Sequence, residues 1–240
     1  MSAVKVFNLG ARAASGRDLI EAQRLHRLLM QKPEQYALTG PTWRSAQGDD
    51  GLQNEGLNES KLSLYLPRSQ DLASPLPVAA SEVAELQIDD CADVAMLSQL
   101  PRFIHLRTLR LGGAGFIASL EWLPPLPALQ VLRIDGFGRG LTSLKGVESL
   151  TSLVALALDP RDGRATVESY NPLSALSELR LLVLPALTAA DQSLRPLGSL
   201  QKLEWFLGTA YFGITEYEEL AARIPALRCP WFSDLAWELL

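Results

Sequence analysis

Few side chains of this 240-residue sequence are placed to carry out catalysis or to bind a metal. The two histidines, His26 and His105, are far apart, and each stands without a second titratable group at a functional spacing. The two cysteines, Cys91 and Cys229, also lack the paired Cys or His neighbours of a zinc site. We therefore predict no catalytic residue, no metal and no cofactor, and interpret Cys91 as a packed thiol.

Two glycine-rich stretches could be mistaken for phosphate-binding loops. Residues 112–115 and 135–140 each follow a predicted strand, as such a loop does. A dinucleotide site also requires the loop to open a full helix, whose N-terminus meets the phosphates. Here both stretches fall where the chain bends away from a short strand, and glycine eases a tight bend. We predict turns at both places.

The charge balance disfavours several classes of partner. The formal net charge is −5, with 22 basic and 27 acidic side chains, whereas nucleic-acid-binding proteins carry a strongly basic face. The first ten residues contain no apolar leader, and no stretch of 18 apolar residues could span a membrane. We therefore expect a cytoplasmic protein that contacts neither nucleic acid nor membrane.

The strongest pattern in the sequence is an internal repeat of short alternating apolar segments. Their first residues are separated by steps of 23, 23, 24, 26 and 24 residues. Alternation of this kind indicates a short strand with one buried face. The segments are Val83–Ile88, Leu106–Leu111, Leu129–Ile134, Leu153–Leu158, Leu179–Leu184 and Leu203–Gly208, with a degenerate first copy at Leu62–Leu64.

A second apolar block recurs late in each unit. Examples are Leu144, Val147 and Leu150 in one unit and Leu194, Leu197 and Leu200 in a later one. Two blocks at fixed phase over six units resemble the leucine-rich-repeat family, and the spacing is most similar to the short, SDS22-like type. The family usually has Asn or Cys three residues after the last strand leucine, and this ladder is degenerate here. The ladder positions are Cys91, Ala114, Phe137, Arg161 and Leu187.

The resemblance implies an α/β solenoid. It is a right-handed superhelix with a parallel concave sheet of about seven strands, and with short helices or 3-10 turns on the convex side. Stacked units share one core because no single unit can bury its apolar side. We predict repeats over residues 57–226, an N-terminal helical cap and connection over 1–56, and a C-terminal cap over 227–240.

Both predicted ends leave an alternative open. Ser15 and Asp18 indicate a helix start, and an apolar stripe from Leu19 to Leu29 ends near Pro33. This helix either caps the solenoid or forms a separate functional segment. The apolar tail from Trp231 onwards is either a cap or a docking peptide for a partner.

The repeat register also predicts which strand residues point away from the core. These outward positions are charged and polar in the first four units and apolar in the last three. An apolar cluster with a charged rim has the composition of a protein interface, although a segment of the chain itself could also cover it. The predicted partner-binding residues are Glu85, Gln87, Asp89, Arg110, Arg133, Asp135, Asp159, Leu181, Val183, Trp205 and Leu207.

Together these features favour a non-enzymatic module that binds a protein partner through the concave face. It could be an inhibitor or immunity-type protein, or alternatively an adaptor or a host-directed effector. We expect it to be a monomer or a weak homodimer. An alternative of another class places an enzymatic activity in residues 1–56 and leaves substrate selection to the solenoid. A self-associating structural module is a third class.

Overall fold

The computed structural model describes residues 43–45, 62–66, 72, 79–91, 93, 95–161, 163–209 and 211–229, and the structural statements below refer to these residues. The predicted helix from Ser15 and the tail from Trp231 lie outside them. The predicted caps over 1–56 and 227–240 are therefore described only at residues 43–45 and 227–229.

A parallel sheet of eight strands runs the length of the described chain. Each strand pairs with the strand of the neighbouring repeat, so spatial order follows chain order. The strands are β1 (Trp43–Ser45), β2 (Leu62–Leu66), β3 (Val83–Ile88), β4 (Thr108–Leu111), β5 (Val131–Asp135), β6 (Ala155–Asp159), β8 (Leu181–Val183) and β10 (Trp205–Leu207).

Seven of these strands lie where the repeat predicts them, in the predicted register. For example, Leu109 pairs with Leu132, and Leu132 with Leu156. The eighth strand, β1, pairs in parallel with β2 and adds one strand to the predicted number of about seven. Trp43–Ser45 carries none of the leucine alternation of the repeat, so the pattern did not indicate it.

The 26-residue unit contributes one strand to an additional small sheet. Strand β7 (Ala165–Val167) pairs in parallel with β9 (Leu187–Ala189) of the following unit. The hydroxyl groups of Thr166 and Thr188 lie 3.1 Å apart across this pair. The two extra residues of the unit thus occur where the chain forms a second ladder after the main strand.

Opposite the sheet, each unit returns through a tight turn. Proline stands at the start of three of the 3-10 turns, where its fixed φ and missing N–H fit a helical beginning. The last unit has instead a ten-residue helix, α1 (Ile214–Arg223). The 3-10 turns are Ala80–Glu82, Ala95–Leu97, Leu100–Arg102, Val147–Ser149, Asn171–Ala175 and Arg195–Ser199.

The core lies between the sheet and these turns. Inward leucines such as Leu132, Leu156 and Leu182 are fully buried, and they belong to one apolar cluster that runs through the described units. Tyr170 is buried in it and donates a hydrogen bond of 2.7 Å to the carbonyl oxygen of Leu187. Burial also raises the pKa of Tyr170 above its ordinary value.

The loops after the strands are joined by backbone hydrogen bonds from one unit to the next. The Cys91 amide donates to Gly112 at 2.9 Å, and the Gly136 amide donates to Asp159 at 2.9 Å. At the ladder positions, Cys91, Ala114 and Phe137 are buried apolar side chains. The neighbouring loops are therefore held by their main chains at positions where the family usually has a polar side chain.

Candidate functional site

The outward side chains of the main sheet form a face of three rows, which we call the outer face. It is the predicted concave face, and the strand pairing aligns its residues across β3 to β10. The middle row crosses the strands at their centres. Its members are Gln87, Arg110, Arg133, Ala157, Val183 and Leu207. The flanking rows begin at Glu85 and Asp89.

The middle row is buried over its central four strands. Arg110 and Arg133 are 9% and 8% exposed, Ala157 is 1% exposed and Val183 is 0% exposed. Gln87 and Leu207, at the two ends of the row, are half-buried. The two ends of the middle row are thus its exposed part.

The charged part of the outer face is a linked network. Arg133 and Asp135 form an ion pair of 2.7 Å, and Arg161 approaches the second oxygen of Asp135 at 2.7 Å. Asp135 is 4% exposed. Burial raises its pKa, against the opposing effect of the two guanidinium groups. Arg110 and Arg133 make further contacts, so neither is left without a partner.

Because Gly112 has no side chain, a gap separates two carboxylates in the flanking row that begins at Asp89. A Cβ atom on Gly112 would lie 3.3 Å from Oδ1 of Asp89 and 3.5 Å from Oδ1 of Asp135. The amide of Gln87 donates to that oxygen of Asp89 at 3.1 Å. Glycine thus leaves space between the carboxylates that any other residue would fill.

The apolar part of the outer face forms a cluster of its own. Ala157 and Val183 are its buried members, and Leu181 and Leu207 pack against them half-exposed. Trp205 is 8% exposed, and the guanidinium carbon of Arg228 lies 5.0 Å from its ring centroid. The residues of this cluster are separated from the inward core by the sheet itself.

The structure places all eleven predicted partner-binding residues on the outer face, and whether they bind a partner remains a prediction. The contacts of Arg161 and Arg228 with this face were not predicted. Arg161 stands in a loop, at a ladder position, and Arg228 follows the last repeat leucine. The continuation of the repeat to Leu227 was the available signal for Arg228, whose backbone forms a parallel bridge with Trp205.

Neither a metal-ligating cluster nor an activated thiol is found among the described residues. Over these ranges no group of three His, Cys, Asp or Glu side chains is placed to hold a metal ion. The glycine stretch 135–140 leads into loop and the 3-10 turn Val147–Ser149, and its Gly136 has a φ of 71°. Burial and the charge of Asp93 raise the pKa of the Cys91 thiol to about 11, so it is not an activated nucleophile. Among the described helices none is both long and apolar enough to cross a membrane.

One strand and one return turn per unit, stacked in parallel, define the architecture. It is a solenoid of repeats stacked through one parallel sheet. The chain is similar to the crystal structure of an internalin from Listeria monocytogenes, with 16% sequence identity and a TM-score of 0.44. The match covers 70% of this chain and spans 44% of the length of the internalin chain. No protein-family model and no curated protein sequence matches the chain.

Proposed function

We propose that this solenoid is a non-enzymatic module that binds a protein partner through its outer face. The observation that carries the proposal is the continuous array of charged and apolar side chains across the strands from β3 to β10. An apolar cluster on the last three strands beside charged residues on the earlier ones has the composition of a protein interface. The residues through which we expect binding are the eleven predicted ones, beginning with the half-exposed Glu85, Gln87 and Asp89.

Within this class we favour an inhibitor or immunity-type protein that acts in the cytoplasm as a monomer or weak homodimer. A chain with a net charge of −5 attracts a basic partner and accelerates its association. An adaptor or host-directed effector is the alternative role. We further propose the short, SDS22-like repeat type and a right-handed winding, since parallel crossover connections are almost always right-handed.

The first test uses variants of half-exposed residues, because buried ones such as Val183 carry a folding cost. Full-length protein is coupled to resin and compared with Leu181→Asp/Leu207→Asp in pulldowns from the native cell extract. The matched control is Ile104→Asp/Tyr211→Asp, which places two aspartates at exposed apolar residues outside the strands of the main sheet.

We expect wild type and the control to retain the same protein and the outer-face variant to lose it at least tenfold. Circular dichroism and gel filtration establish that all three proteins are folded and report the oligomeric state. Equal retention by all three would contradict binding through the outer face. An activity that depends only on residues 1–56 would instead support the enzyme alternative.

A further inference from the structure

The turns that lead into the strands share one geometry, which makes the units comparable. The amide of Leu106 donates to the carbonyl oxygen of Phe103 at 3.0 Å, and the amide of Leu179 donates to that of Leu176 at 3.0 Å. The same turn closes at Leu129, Leu153 and Leu203. The two residues before and the one residue after each of these leucines therefore stand at equivalent places. We call the surface that they form the entry surface.

In the later units the charges of the entry surface are paired within the chain. Lys202 forms an ion pair of 2.7 Å with Glu178, and both residues directly precede the leucine that closes their turn. Arg180 forms an ion pair of 2.5 Å with Glu204, and both directly follow that leucine. Each pair thus joins equivalent positions of two neighbouring units.

In the unit of β4 the same two places hold His105 and Arg107, and both are exposed. The amide of Arg107 donates to the carbonyl oxygen of Ala84 at 2.7 Å, and the amide of Gln130 donates to that of Arg107 at 2.8 Å. Both neighbours of Arg107 along the solenoid are therefore uncharged. Within the described chain Arg107 forms no ion pair, whereas its equivalent Arg180 does.

An exposed apolar side chain lies between two arginines in this unit. Ile104 is 59% exposed, and Pro127, its equivalent in the next unit, is exposed as well. Arg102 donates to the side-chain oxygen of Gln99 at 3.5 Å and forms no ion pair with any described residue. A single exposed isoleucine is ordinary on a protein surface. Flanked by two arginines without carboxylate partners, it offers the apolar and charged contacts of an interface.

We propose that Arg102, Ile104 and Arg107 form a docking surface for an acidic segment of another protein. A guanidinium group can bind a carboxylate through two parallel hydrogen bonds, and an apolar side chain of the segment packs on Ile104 between the two arginines. The negative charges of such a segment complement two cations that the described chain does not pair. A nucleic acid would instead meet a chain with a net charge of −5.

Glu82 limits this surface on the side of β3. It directly precedes Val83 as His105 precedes Leu106, and it is exposed. A carboxylate at this place repels an acidic segment. Removing its charge should therefore strengthen binding, which is a result that loss of folding cannot produce.

The test begins with random peptides of about twelve residues displayed on phage. They are selected on the full-length protein after depletion on the Ile104→Ser/Arg107→Gln variant, which removes the peptides that bind elsewhere. We expect the surviving sequences to carry several Asp or Glu residues around an apolar residue. Survivors without acidic residues, or no survivors at all, would overturn the proposal.

The surviving peptides are then synthesised with a fluorescent label, and their affinity is measured by anisotropy. Arg107→Glu should weaken binding at least tenfold and Ile104→Ser at least fivefold, whereas Glu82→Gln should strengthen it about twofold. The matched control is Arg180→Glu, which makes the same change of charge at the equivalent arginine of a later unit and should alter the affinity less than twofold. Equal losses for Arg107→Glu and Arg180→Glu would mean that net charge alone governs binding, and would also overturn the proposal.

Two further measurements identify the occupant. Binding that depends on the two arginines should weaken as salt is raised from about 50 to about 300 mM, because salt screens exposed charges. Sedimentation of the wild type and of Ile104→Ser reports self-association through the same surface. A dimer that Ile104→Ser dissociates would identify a second copy of the chain as the occupant, and would overturn the assignment to another protein.

This docking surface shares no residue with the outer face, so the two sites are tested separately. Leu181→Asp/Leu207→Asp should bind the selected peptides as the wild type does, and peptides that this variant loses would contradict docking at Ile104. In the pulldown, a protein lost only from Ile104→Asp/Tyr211→Asp is not the partner of the outer face. Failure of one proposal therefore leaves the other standing.

Discussion

The two faces of the main sheet are both buried, but for different reasons. Inward residues such as Leu156 and Leu182 are fully buried because neighbouring repeats supply large apolar side chains on both sides; Leu182 lies between Leu156 and Phe206. On the outer face, Arg133, Ala157 and Val183 are also buried, although their neighbours in the row differ in size and charge. The repeat therefore accounts for the first kind of burial, whereas the second kind does not follow from the repeat.

Among the substitutions that compare the two faces, Leu182→Ala should lower the unfolding free energy most. Removing a fully buried leucine side chain from a packed core costs about 2–5 kcal/mol of unfolding free energy. Leu181→Ala, one residue away on the outer face and half-exposed, should cost about 1 kcal/mol or less. Urea denaturation of both variants measures the difference, and equal losses would show that the inward and outward assignments are wrong.

Val183→Ala tests the outer face directly and should have an intermediate effect. Two methyl groups leave a covered site, so the unfolding free energy should fall by about 1.5 kcal/mol. On an open face the same change would cost only a few tenths of a kcal/mol. The measurement is again urea denaturation, and a near-zero loss would indicate that Val183 is accessible in solution.

The change of stability with pH in Asp135→Asn should be the smallest of the three differences. The folded-state pKa of Asp135 is raised, so the folded chain binds this proton more tightly than the unfolded chain. This stabilising contribution is complete below the ordinary carboxyl pKa and is lost as the pH rises through the folded value.

The stability of wild type relative to Asp135→Asn should therefore increase as the pH falls from 7 towards 4. Denaturation curves at several pH values give this difference. A relative stability that decreases on acidification would mean that the ion pairs with Arg133 and Arg161 outweigh the effect of burial.

Much of the fold follows from local pattern. The alternation around Leu132 and Leu156 predicted seven strands and their outward residues. It could do so because the apolar residues within each strand alone indicate which of its faces is buried. β1 was missed because Trp43–Ser45 pairs through backbone atoms and shows no apolar alternation. The pair β7 and β9 was missed since neither segment has the repeat spacing, and its ladder depends on contact between units.

The sequence predicted which residues form the candidate site, but it did not predict how deeply they are buried. The register identified Arg133, Asp135 and Val183 as outward residues, and composition identified the apolar cluster. Their depth of burial is a property of the folded chain that the repeat spacing does not encode. Arg161 joins Asp135 through a loop conformation with a φ of 59°, which residue type alone did not indicate.

The main-chain hydrogen bonds between loops affect which changes of sequence the solenoid tolerates. The bonds from Cys91 to Gly112 and from Gly136 to Asp159 use atoms that every residue except proline possesses. Substitutions at the ladder positions therefore preserve the alignment of units as long as they fill the same space, as Ala114 and Phe137 do. A change in the number of residues would shift donors against acceptors. The longest unit, with a step of 26 residues from Leu153 to Leu179, contains the extra strand β7, which pairs with β9 of the following unit.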